Sequence, residues 1–169
     1  MKLRKFLSVF ALNLLLVVSL FAQNETFSDP NVEYTFDLPD AAWKMTSKPS
    51  TLSPNVEYVF KDRSDGYMEV RKLSIKSNQM LGDIIREEET KLQFMPGYVA
   101  GKEENFQGAL DGRVFNFEFV RSARNMSGRF YFLKAKDDTV YVLRFTGERD
   151  KLRNIRNQVD SIARTFKVK

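Results

Sequence analysis

An α+β fold, an antiparallel β-sheet flanked by helices, is what this 169-residue sequence predicts. Three observations carry it. Apolar residues recur with a period of two along successive segments, as strands with a buried face require. Two stretches, residues 80–95 and 147–166, switch to helical spacing. The connections between strands are short and rich in turn residues, so neighbouring strands join as hairpins and a meander.

The first strands are written almost twice. NVEYTF at residues 31–36 returns as NVEYVF at 55–60; Val32, Tyr34 and Phe36 alternate with Glu33 and Thr35 in the first copy, and Val56, Tyr58 and Phe60 keep the same spacing in the second. The likeness stops there: DLPDAAW follows one copy and KDRSDGY the other. A true repeat would extend over a whole supersecondary unit, so the two copies are read as two strands with the same packing requirement. Residues 55–76 are expected to form a hairpin turning at Ser64-Asp65-Gly66. Within it, Met68 and Val70 fall on one face and Leu73 and Ile75 on the other, which predicts a bulge near Arg71 and Lys72.

Helical spacing over MLGDIIREEETKLQFM places Leu81, Ile84, Ile85, Leu92 and Met95 on one stripe. Asn78 is the expected N-cap, and Pro96-Gly97 the stop. From Tyr98 to Phe145 the period returns to two. Phe115, Phe117 and Phe119 share a side, and the meander is expected to turn through the loops RSARNMSG and KDD. The closing helix carries Leu152, Ile155, Val159 and Ile162 toward the sheet. Arg149, Lys151, Arg153, Arg156 and Arg164 are read as its solvated basic surface.

The N-terminus stands apart. Lys2, Arg4 and Lys5 precede a mostly apolar run from Phe6 to Phe21, so residues 1–22 read as a signal peptide with a cut near Ala22-Gln23. Leu20 is large for its place before the cut, which keeps an uncleaved anchor open as the alternative. The expected location is periplasmic or secreted. Residues 23–30, QNETFSDP, read as a short polar tether, and residues 31–169 as a single domain.

Charge and composition exclude several classes. The chain carries 27 basic and 22 acidic residues, and removal of the signal leaves 24 against 22. That near-neutral balance gives no reason to expect nucleic acid as a partner. With no Cys and no His, the commonest general base, metal ligands and thiol nucleophile are missing. Neither a Gly-rich phosphate loop nor a nucleophile elbow appears, so no cofactor, metal or catalytic residue is assigned.

An early F-x-L-P, here Phe36-Asp37-Leu38-Pro39, followed by Trp43, and a closing helix ending in S-I-x-x-[ST]-F, here Ser161 to Phe166, resemble the PsbP-like superfamily. That group is similar in fold to the Ran-binding Mog-type proteins and the DcrB-like periplasmic proteins. The resemblance covers roughly residues 31–168 and implies an α/β/α sandwich whose members mostly bind other proteins. PsbP docks on a photosystem, and the Mog-type proteins bind a small GTPase.

The expected function is therefore that of an exported, non-catalytic binding or adapter protein holding a protein partner. The alternative is a carrier of a small apolar or lipidic ligand, for which the fifteen phenylalanines could line a cavity. Arg121, Arg124 and Arg129, in VRSARNMSGRF, are the candidate partner-binding residues, since guanidinium groups on a loop suit an acidic surface or phosphate. Edge-strand charges that deter aggregation would look the same. Trp43, the only tryptophan, is either a partner anchor or a core plug with its N–H bonded to backbone.

Overall fold

The computed structural model describes residues 25–169, and the expected signal peptide lies outside the described residues. Two antiparallel sheets are present. The smaller has the order β1-β2-β10, from β1 (Glu25–Ser28), β2 (Tyr34–Leu38) and β10 (Lys167–Val168). The larger has seven strands in the order β3-β4-β5-β9-β8-β7-β6. Its members are β3 (Trp43–Ser47), β4 (Val56–Phe60), β5 (Asp62–Ser74), β6 (Val99–Phe106), β7 (Gly112–Arg121), β8 (Arg124–Lys136) and β9 (Thr139–Glu148). Helix α1 (Leu81–Leu92) covers one face of this sheet, and α2 (Arg149–Asn154) with α3 (Arg156–Thr165) covers the other. The result is the expected α/β/α sandwich.

Each face has its own core. Ile84, Ile85 and Leu92 of α1 pack with Phe115, Phe117, Phe119, Phe130 and Phe132. On the opposite face Val159, Ile162 and Phe166 pack with Met68, Tyr131, Leu143 and Phe145, and the small sheet closes over them. The two near-identical hexapeptides meet here. β2 and β4 belong to different sheets, and their side chains converge on one core, with the Phe36 and Tyr58 rings 5.9 Å apart.

Two cores also explain why the expected bulge in β5 is absent. β5 runs beside β9 in unbroken register from Tyr67↔Thr146 to Ser74↔Thr139. Met68 and Val70 enter the α2–α3 core while Leu73 packs on the α1 core. A sheet buried on both faces accepts a change of apolar parity without a kink.

Three further expectations are corrected. The supposed tether contributes β1, in which Phe27 lies opposite Phe36 and is only 5% exposed; four residues with one inward side chain are too few for a period to show. The β4–β5 turn sits at Lys61, whose φ is +59°, while Asp62 accepts from the N–H groups of Ser64 and Asp65 inside β5. The expected loop RSARNMSG shrinks to Ser122-Ala123, both left-handed at φ of 52° and 59°, the geometry of a tight hairpin turn. Gly128 lies within β8 because the Phe117 ring crosses it: a Cβ there would fall 2.1 Å from the ring.

The N-cap of α1 is Met80, not Asn78, and it makes no side-chain capping hydrogen bond. The closing helix is interrupted at Ile155 (φ −101°, ψ 13°), yet the apolar stripe continues across the break.

Glu33, just before β2, ties the small sheet to the main sheet. It accepts hydrogen bonds from Lys72 and from the Tyr141 hydroxyl, and these two donors, Lys72 foremost, hold its carboxyl below the ordinary 4.5. A carboxyl lowered by folding stabilises above its unfolded pKa, and that contribution is lost as pH falls through the folded value. Glu33→Gln is expected to lower the melting temperature at pH 7 and to have little effect near pH 3, as thermal melts at the two pH values would record.

Candidate functional site

The antiparallel sheet is wider than α2 and α3 can cover. Beyond them, β6, β7 and the first half of β8 leave a cleft of about 710 Å³. Strand alternation decides its floor. Phe115, Phe117 and Phe119 turn toward α1, so their neighbours Asn116 and Glu118 face the cleft; on β8, Ser127 and Arg129 do the same. Val99, Lys102 and Glu104 of β6 line it, as do Arg149, Arg153 and Arg156 of α2 and α3. Five cationic side chains, Lys102, Arg129, Arg149, Arg153 and Arg156, therefore border it against two carboxylates, Glu104 and Glu118. A second cleft of 530 Å³ shares Glu104, Arg129 and Arg156 with the first and adds Asp160 and Arg164.

Arg129 is the fixed point. It is 8% exposed, and each part of its guanidinium is engaged. Nε donates to the Tyr131 hydroxyl at 2.6 Å and to Asp160 at 3.0 Å, Nη1 donates to Asn116 at 2.7 Å, and Nη2 lies 3.0 Å from Asp160. The Tyr131 hydroxyl in turn donates to Asp160. Burial disfavours the charge on Arg129, but Tyr131 and Asp160 outweigh it and raise its pKa above the ordinary value. Around this rigid base the other arginines keep reach: Arg149, Arg153 and Arg156 have side chains 45%, 71% and 55% exposed. Arg149 is 3.5 Å from Glu118 and Arg153 is 3.0 Å from Asp150, exposed pairs that an incoming anion can exchange at little cost.

Of the three arginines expected to act together, Arg129 is set apart from the other two. Arg129 lines the cleft; Arg124 directly follows the Ser122-Ala123 turn, is exposed, pairs with Glu148 at 2.7 Å and borders a small pocket beside Arg149. Arg121 lies directly across the two-residue turn from Arg124. Trp43 is a core residue, 3% exposed, with its ring 5.4 Å from Phe60 and 6.1 Å from Phe145. Its N–H donates to the Gln158 side chain at 3.0 Å, and not to backbone.

Sequence reasoning passed over Arg149, Arg153 and Arg156 as solvated surface. Their signal was present: spacings of four and three put them on one helical stripe beside the apolar one. Eleven phenylalanines are buried in the two cores; Phe117 borders the larger cleft and Phe106 the smaller.

No protein-family model matches the chain, and no curated protein matches its sequence. Solved structures do match. PsbP (CyanoP) from the cyanobacterium Synechocystis superposes with a TM-score of 0.57 at 14% identity, over 88% of this chain and 94% of that one. The fold is PsbP-like. LpqN of Mycobacterium tuberculosis, a protein involved in cell envelope biogenesis, has the same PsbP-like arrangement at a TM-score of 0.54 and 11% identity, over 86% of this chain and 91% of its own. A Bacteroides thetaiotaomicron structure matches at 0.58 and 12% identity over 87% of this chain; the chain spans about half its length, 49%.

Proposed function

We propose that this chain is an exported, non-catalytic binding protein of PsbP-like fold that holds a protein partner in the periplasm through the arginine-bordered cleft. The observation that carries the reading is the cleft itself: a buried, fully engaged Arg129 with four further cationic side chains around it. Guanidinium groups on rigid elements suit carboxylates on a partner surface. The apolar run at residues 6–21 supports export, and the cell-envelope role of LpqN is in keeping with it. A carrier of a small apolar or lipidic ligand has less behind it, because the phenylalanines that would line its cavity fill the cores.

The test is crosslinking in the periplasm of a Gram-negative host that expresses the full chain with its own signal and a C-terminal tag. A recurrent protein partner is expected, lost when Arg149→Glu and Arg153→Glu are combined. Turnover of a substrate that a single polar substitution abolishes would overturn the reading, and a lipid carried through purification in place of a protein would favour the carrier.

A further inference from the structure

We infer that the partner supplies an extended acidic segment, which adds to the main sheet as a strand along β6 and sends its carboxylates toward the cleft arginines. This rests on the binding reading above and gives the partner a chemistry and a binding mode.

β6 is an open edge. Among the described residues it ends the seven-stranded order and pairs with β7 alone, and seven of its eight residues are exposed. An edge strand presents unpaired backbone N–H and C=O groups, the template that strand addition uses. The opposite edge, β3, is open as well, but only β6 forms a wall of the cationic cleft. A segment laid along β6 turns every second side chain to the cleft side of the sheet. Acidic residues at those positions would face Lys102, Arg149 and Arg153. An apolar complement lies at one end: Val99, which pairs with Glu118 and so shares its cleft-side face, is 60% exposed.

The edge also selects against the simplest competitor. β6 carries a register shift between Ala100 and Glu103 and the charges Lys102, Glu103 and Glu104, features that deter indiscriminate pairing. A second copy of this chain paired edge to edge would bring its own arginine-bordered cleft against the first, like charge against like. An acidic segment meets a cleft in which five cationic side chains stand against two carboxylates.

The probe is a fluorescent octapeptide alternating glutamate and valine, titrated by anisotropy into the full chain purified after expression with its own signal. Binding is expected, absent for the lysine–valine counterpart, weakened tenfold or more by Arg149→Glu with Arg153→Glu, and reduced by salt. Strand addition uses one edge of the peptide, so N-methylation at the valines and N-methylation at the glutamates are expected to differ, one abolishing binding and the other preserving it. That comparison uses the unaltered protein, so a folding defect in the double variant leaves it readable. Equal binding of the two methylated peptides would overturn strand addition. So would binding of inorganic phosphate or phosphatidylglycerol vesicles with none of the peptide. If the peptide fails while an arginine-dependent partner is still crosslinked, this inference falls and the binding reading stands; if no such partner is crosslinked, the binding reading falls itself.

Discussion

Asp160→Ala is expected to destabilise the protein by about 3 kcal/mol, the lower end of the range for removing one partner of a buried ion pair. Arg129 is 8% exposed and meets Asp160 through two nitrogens, so the substitution strands a charge that water reaches poorly. The Asp160 side chain is itself 20% exposed, which places the cost at the lower end. Urea unfolding would read it as a fall in midpoint with little change in slope. Replacing both partners, Arg129→Met with Asp160→Leu, is expected to recover much of the loss, because no buried charge is then left unpaired. A loss below about 0.5 kcal/mol would mean that the pair behaves as a screened surface contact. The cleft would then lack the rigid floor on which the proposed partner binding rests.

Phe166→Ala is expected to cost about 3–5 kcal/mol, the usual range for a fully buried phenylalanine. Phe166 is 0% exposed, with its ring 5.2 Å from Tyr34, 5.2 Å from Tyr141 and 6.2 Å from Phe36. It stands where α3, the small sheet and the main sheet meet, so the neighbours have other elements to hold and little freedom to collapse into the cavity. Phe94→Ala, at a side chain 87% exposed, is expected to change stability by less than about 0.5 kcal/mol. Denaturation of the two variants side by side would separate burial from residue type; a similar loss at both would contradict the packing described.

Local patterns in the chain were enough for most elements. Period two marked β2, β4, β7, β8 and β9, and the stripe of Ile84, Ile85 and Leu92 marked α1, because the inward positions of a strand or helix are set by its own geometry. Misreadings arose where a residue's role depended on something distant. Gly128 looks like a turn residue in MSG, but its neighbour across the strand, Phe117, needs the space a Cβ would occupy. Phe27 is a lone apolar residue in a polar stretch, and only its partner β2 reveals it as core. Met68 with Val70 and Leu73 with Ile75 suggested a bulge because one buried face was assumed where the sheet has two.

The arginines divide in the same way. Arg121, Arg124 and Arg129 are close in sequence, yet a two-residue turn and five residues of extended strand put Arg129 well away from the hairpin tip, beside Asp160, thirty-one positions later. By itself the sequence determined the α+β class and the place and apolar faces of the longer strands and of the helical segments, since these follow from periodicity within each segment. Only the tertiary structure decided that Arg129, Arg149, Arg153 and Arg156 share a cleft, because that depends on how far the sheet extends beyond the helices packed on it, a relation between segments that no single segment encodes.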